Sequence, residues 1–118
     1  MPEEPGAAAA GWRGWGTARV RGRSMAPTLA DGDLLLVRFG RTPRPGELAV
    51  VRLPGDRPLS VKRIAHRADD GWWIERDNPS EGVDSWLVGA IPDADVVAVV
   101  RARLWPLRRL RSGSPPRG

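Results

Sequence analysis

Apolar positions along this chain come in short runs closed by glycine, proline or aspartate, and little of the pattern follows helical spacing. The runs are rich in β-branched and aromatic residues: 17–22 (TARVRG), 33–39 (DLLLVRF), 47–53 (ELAVVRL), 59–66 (LSVKRIAH), 71–76 (GWWIER) and 95–105 (DVVAVVRARLW). Turn residues separate them at Pro27, at Asp31-Gly32-Asp33, over 41–46, at Pro54-Gly55-Asp56, at Asp69-Asp70-Gly71 and at Asp77-Asn78-Pro79. Strands at this spacing predict a mostly β chain, folded as a compact sheet or barrel, with one short helix starting near Pro27. In 47–53 apolar residues nearly fill both faces, which puts that strand in the middle of the sheet.

A length of 118 residues allows one small domain. The expected organisation is a flexible arm over 1–16, a domain over 17–107 and a basic flexible tail over 108–118. With no cysteine and one histidine, disulfides and thiolate metal sites are excluded, and no metal site is expected. The net charge is +5, and the densest basic run lies in the tail. It reads as a solvated arginine-rich segment that can touch a membrane surface, and no nucleic acid is expected as a partner. No apolar run reaches the roughly 20 residues that cross a bilayer. Glu3 and Glu4 stand where a signal peptide carries its basic region, so a cytoplasmic location is the expectation.

One detail of composition changes the picture. Of 19 basic residues only Lys62 is a lysine, and the remaining 18 are arginine. Arginine keeps its proton in any protein, whereas lysine can lose it. A single lysine retained in a strand is what a reaction needing a neutral amine would require. Free lysine titrates near 10.4, so the amine must be lowered by roughly 3 units, on the order of 4 kcal/mol of differential solvation, to be neutral at pH 7. Alternation puts Ser60, Lys62, Ile64 and His66 on one face and Leu59, Val61, Arg63 and Ala65 on the other. Neither face is plainly solvent-like, so a solvated place on an edge strand stays equally open. Ser24, in RGRSMAPTLADGD, is a nucleophile only if a base such as Lys62 or His66 takes its proton. By itself it reads as well as a turn or N-cap serine.

Ser24-Met25-Ala26-Pro27-Thr28-Leu29, followed by Asp31-Gly32-Asp33, resembles the nucleophile box of type I signal peptidases. Val61-Lys62-Arg63-Ile64 resembles their lysine box, and Asp77-Asn78 with Asp84-Ser85 resembles their last box. The boxes stand in the same order and span about residues 18–105. With the GWWIE strand after the lysine and a terminal Trp-Pro, the chain is similar, more narrowly, to the maturation proteases of nickel-type superoxide dismutase. The resemblance implies a serine endopeptidase with a Ser–Lys dyad on a signal-peptidase-type core. Its partner would be the precursor of a nickel superoxide dismutase, from which it removes an N-terminal propeptide without metal or organic cofactor. Ser24 would be the nucleophile and Lys62 the general base, with the Ser24 N–H in the oxyanion hole. Met25 and Gly22 would support the site. Asp77, Asn78, Asp84 and Ser85 would hold the adjoining loop rather than take part in the chemistry.

The boxes are not matched throughout. Gly22 stands where many signal peptidases have an oxyanion serine, and Gly82 where some have a serine that orients the lysine. Arg76 replaces the glycine that opens the last box, and Trp86 the arginine that closes it. Either Ser60, Ser80 or Ser85 stands in, or the lysine is held less firmly. Two other readings stay open: a signal peptidase drawn to membranes by its arginines and tryptophans, and an inactive β module that binds a peptide by strand addition. A self-cleaving protease of the repressor type is set aside, because sixteen leading residues cannot hold a helix-turn-helix domain.

Overall fold

The computed structural model describes residues 14–55, 57–80 and 82–106. Its strands are β1 (Trp15–Arg19), β2 (Leu34–Phe39), β3 (Leu48–Arg52), β4 (Leu59–Ala68), β5 (Gly71–Glu75) and β6 (Val96–Trp105), with one short helix, α1 (Ser85–Val88), between β5 and β6. The strands form one antiparallel sheet in the order β1-β2-β6-β3-β4-β5. Each of the six runs read from the sequence is one of these strands. β1 opens at Trp15, two residues before the expected domain boundary, while residues 1–13 and the basic tail lie outside the described residues.

β3 lies between β6 and β4, and Leu48, Ala49, Val50 and Val51 are all buried, as a run apolar on both faces requires. Leu48 and Val50 face a cluster built with Met25, Leu29, Leu35 and Val37, while Ala49 and Val51 face a second one with Leu53, Ile64, Trp72 and Ile74. The sheet therefore has two cores, and a strand crossing it can bury side chains on either face.

Two local features differ from the sequence pattern. The segment around Ser24 is a run of turns, with the Ala26 N–H on the Arg23 carbonyl and the Leu29 N–H on the Met25 carbonyl, rather than the short helix expected there. Pro27 has no N–H to give, and the Thr28 hydroxyl and Ala30 N–H bond to Asp77 and Asp33 instead of extending a helix. The described helix begins instead at Ser85, where extended Asp84 accepts the Trp86 N–H and caps it. The second difference is a bulge in β4. Ile64 pairs with Ile74 but His66 pairs with Trp73, so two residues answer one and the alternation reverses. His66 therefore leaves the Lys62 face; it is exposed and stacks on Trp73, with ring centroids 6.0 Å apart.

The second cluster is closed by Ile91, whose N–H and carbonyl both bond to Trp72 at 2.8 Å. That approach depends on Gly71, where an added Cβ would stand 2.2 Å from the Ile91 carbonyl oxygen. Gly71→Ala should lower stability by about 1–3 kcal/mol, read as a fall in the urea midpoint with an unchanged slope.

Candidate active site

Ser24 sits on the loop that joins β1 to β2. The loop is closed at its neck by the Val20 N–H to the Asp33 carbonyl (2.8 Å) and the Gly32 N–H to the Val20 carbonyl (2.7 Å). Two arginine–carboxylate pairs fix its body. Arg103 of β6 donates to Asp33 at 2.6 Å and to the Thr28 carbonyl at 3.3 Å, and the same Asp33 oxygen accepts the Ala30 N–H at 2.9 Å. Arg63 of β4 donates to both oxygens of Asp77, at 3.2 and 2.6 Å, and the Thr28 hydroxyl donates to Asp77 at 2.6 Å. A planar, permanently charged guanidinium suits such two-point contacts better than an ammonium. Asn78 completes the clamp: its N–H donates to the Ser24 carbonyl at 2.8 Å, and its side-chain amide donates to the Arg23 carbonyl at 2.9 Å.

β4 brings Lys62 to this loop, with Nζ 2.9 Å from Ser24 Oγ. Lys62 pairs across the sheet with Ala49 and shares a face with Ile64, so its stem runs along the second apolar cluster and only 2% of the residue is exposed. The solvated edge-strand alternative does not hold. Burial pushes the amine down from 10.5 to about 8; the Asp84 carboxylate pulls it back up, and the Arg76 guanidinium pushes it down. Arg76 also pairs with Asp84 at 2.8 Å, which weakens the hold of that carboxylate on the lysine proton.

The other residues named from the sequence gather around this pair, mostly as supports. Met25 lies buried beneath the loop, and its sulfur accepts the Asp77 N–H at 3.4 Å. Asp84 caps α1, and buried Ser85 accepts the Ile74 N–H at 2.8 Å, which fastens α1 to β5. Gly22 gives its N–H to Asp31 at 2.7 Å, so that donor is engaged away from the dyad. Among the described residues, none of Ser60, Ser80 and Ser85 bonds to Lys62. At Gly82, whose φ is +106°, a Cβ would stand 2.3 Å from the Ser24 Cβ. No side chain fits there without a shift, and the loop packs its bare backbone against the serine.

Two hollows meet at Ser24. One, of about 130 Å³, has an apolar floor of Ala18, Val20, Met25, Val50 and Val61. The other, of about 350 Å³, is bordered by Arg21, Arg23, Arg57, Lys62 and Gly82. Around the first, the outer edge of β1 and residues 59–62 of β4 lack a described strand partner on one side, since β5 joins β4 only from Arg63 onward. Among the described residues no cluster of His, Cys, Asp or Glu could hold a metal ion, and no helix is long and apolar enough to cross a membrane.

Residues 14–101 match the family model described as Peptidase S24-like. The chain belongs to that family. It is 43% identical to the LexA repressor of Deinococcus radiodurans over 53 residues, which are 44% of this chain and 25% of that protein. It is 38% identical to the LexA repressor of Herpetosiphon aurantiacus over 52 residues, 43% of this chain and 24% of that protein. The matched part thus spans about a quarter of the length of these relatives. The repressor kinship set aside from the length of the leading segment is the one these comparisons find.

In this S24-like domain the pattern of the chain assigned no task to Arg63, to Arg76 or to Arg103, which holds Asp33 from β6. Arg63, beside the lysine, points to the opposite face and holds Asp77. Arg76 reaches the Asn78 and Pro79 carbonyls as well as Asp84, and so ties down the whole last box. Its signal was visible only as a departure from the family glycine.

The lowered pKa of Lys62 has a stability sign. Below about pH 8 the folded chain carries a proton its surroundings disfavour; that loss is recovered between about 8 and 10.5, where the unfolded lysine still binds one. Lys62→Met should therefore be more stable than the natural chain at pH 7, by about 2 kcal/mol after allowing for solvent reaching the amine, and the gap should close by pH 10.5 in chemical denaturation.

Removing either charge beside the amine should move it in opposite directions. Asp84→Asn should lower the pH midpoint of activity and Arg76→Gln should raise it, each by roughly half a unit or more in a pH–rate profile.

Proposed function

We propose that this chain is a serine endopeptidase in which Ser24 attacks and neutral Lys62 is the general base. The observation that carries the reading is the 2.9 Å contact between Ser24 Oγ and an amine lowered to about 8. At pH 7 about one such amine in ten is neutral, against roughly one in three thousand for a lysine at 10.5. The net shift, with burial its largest cause, thus raises the reactive fraction about 300-fold.

The substrate chain lies extended near residues 20–24 and 59–63, along the outer edge of β1 and residues 59–62 of β4, which have no described strand partner on that side. Ser24 Oγ bonds to the scissile carbonyl carbon as its proton passes to Lys62 Nζ. The oxyanion is held by the Ser24 N–H, which has no other acceptor among the described residues. The C–N bond then breaks, the departing nitrogen takes the proton from Lys62, and an acyl ester remains on Ser24. Water, deprotonated in turn by Lys62, attacks the ester carbon; the bond from that carbon to Ser24 Oγ breaks, Lys62 returns the proton to Oγ, and the carboxylic product leaves.

The box set supports a maturation role, with the N-terminal propeptide of a nickel superoxide dismutase precursor as substrate and the cytoplasm as the place of action. The LexA repressor relatives favour a second reading, in which the bond cut lies in the same polypeptide. Cleavage in cis has a rate independent of enzyme concentration, which separates the two.

Mass spectrometry of a nickel superoxide dismutase precursor mixed with each protein tests the first reading. The natural chain should release the propeptide, while Ser24→Ala and Lys62→Met should each be at least about a thousandfold slower. The natural rate should rise with pH through about 8 and be indifferent to His66→Ala. Equal cutting by all three proteins would dispose of the dyad; a precursor left intact while another protein is cut would dispose only of the substrate.

A further inference from the structure

We propose that this peptidase selects substrates with acidic side chains just after the bond it cuts, where Arg21, Arg23 and Arg57 rim the hollow that Lys62 lines. The inference rests on the Ser24–Lys62 reading above and extends it to the class of substrate.

The argument turns on which hollow receives which half of the substrate. The two hollows share Arg21, Ser24, Pro58 and Ser60, so a chain crossing Ser24 must enter both. Lys62 borders the larger hollow and not the apolar one. In the proposed reaction the lysine hands its proton to the departing nitrogen, so that nitrogen comes to lie against Nζ. The segment that follows it therefore continues into the hollow that Lys62 borders, and the acyl half is left with the apolar one. Direction along the groove is set by the position of the base.

Among the described residues, the charged side chains lining that hollow are all basic. Arg21, Arg23 and Arg57 are all exposed, and no carboxylate is among the described residues lining the hollow. Arg57 uses one nitrogen on the Pro54 carbonyl at 3.0 Å, and Arg21 and Arg23 make no side-chain bond among the described residues. The other arginines around the site have partners: Arg63 has Asp77, Arg76 has Asp84, Arg103 has Asp33, and Arg19, beside the apolar hollow, donates to the Gly32 carbonyl at 2.8 Å. The three on the rim are thus not part of the frame that holds the loop. Guanidinium groups around a cleft attract carboxylates and repel basic chains. Exposed pairs are individually weak, so the three together amount to about tenfold in kcat/KM at low salt, and less as ionic strength rises.

A random-sequence peptide library read by mass spectrometry of the new N-termini tests this. In the natural chain's products, Asp and Glu should be enriched several-fold over Lys and Arg in the first few positions after the cut, less so at 0.5 M salt. Arg21→Glu with Arg57→Glu should reverse the preference toward basic residues. The ratio is taken within each protein, so a variant of low overall activity still reports it. A natural profile without acidic enrichment, or one the double reversal leaves unchanged, overturns the inference and leaves the peptidase reading intact. If the natural chain cuts no more than Ser24→Ala, the peptidase reading fails and this inference with it.

Discussion

A buried amine lies within reach of a hydroxyl, in a site whose loops are held together by charges. That conflict governs the architecture. Lys62 is desolvated by being placed on the face of β4 that carries Ile64 and opposes Ala49, so the same apolar cluster that stabilises the sheet lowers the amine. A carboxylate nearby would undo this by holding the proton in place. Asp84 is such a carboxylate, present because α1 needs a cap and the last box needs an anchor. Arg76 answers it at 2.8 Å, and the net field leaves burial as the largest influence.

The remaining charges are paired where they are most enclosed. Asp33 with Arg103 and Asp77 with Arg63 bracket the loop of Ser24 from β6 and β4, the first pair with side chains only 4% and 6% exposed. Buried pairs of this kind gain little stability over apolar packing, but they fix geometry, because a broken pair leaves a charge without solvent. Arg103 shows the strain of the arrangement: its Nε is buried and has no partner among the described residues. The loop is thereby located by contacts with strands 38 to 75 residues away in sequence, more than by its own short turns.

How much of this could be read from residues alone follows from range. The strands were legible because their pattern is local, and β3 declared its central place by being apolar on both faces. Ser24 and Lys62 were legible as a pair only through the ordered boxes, since burial of Lys62 depends on which cluster Ala49 faces. The bulge at 64–66 was not legible: it takes one extra residue opposite β5, and it alone removes His66 from the lysine's face. Nor were the tasks of Arg63 and Arg76, which are defined by carboxylates that only the folded chain brings near. Gly82 could be seen to lack a family serine, but that the gap is filled by the Ser24 side chain is a matter of close packing.

The use of arginine at every basic position but one has a practical consequence. Lys62 is the only side-chain amine among the residues of the chain. Nitrogen-15 supplied solely in lysine would therefore give a spectrum with one ammonium or amine resonance. The protonation state of the proposed general base, usually hidden among many overlapping signals, can in this chain be followed as a single line through folding and titration.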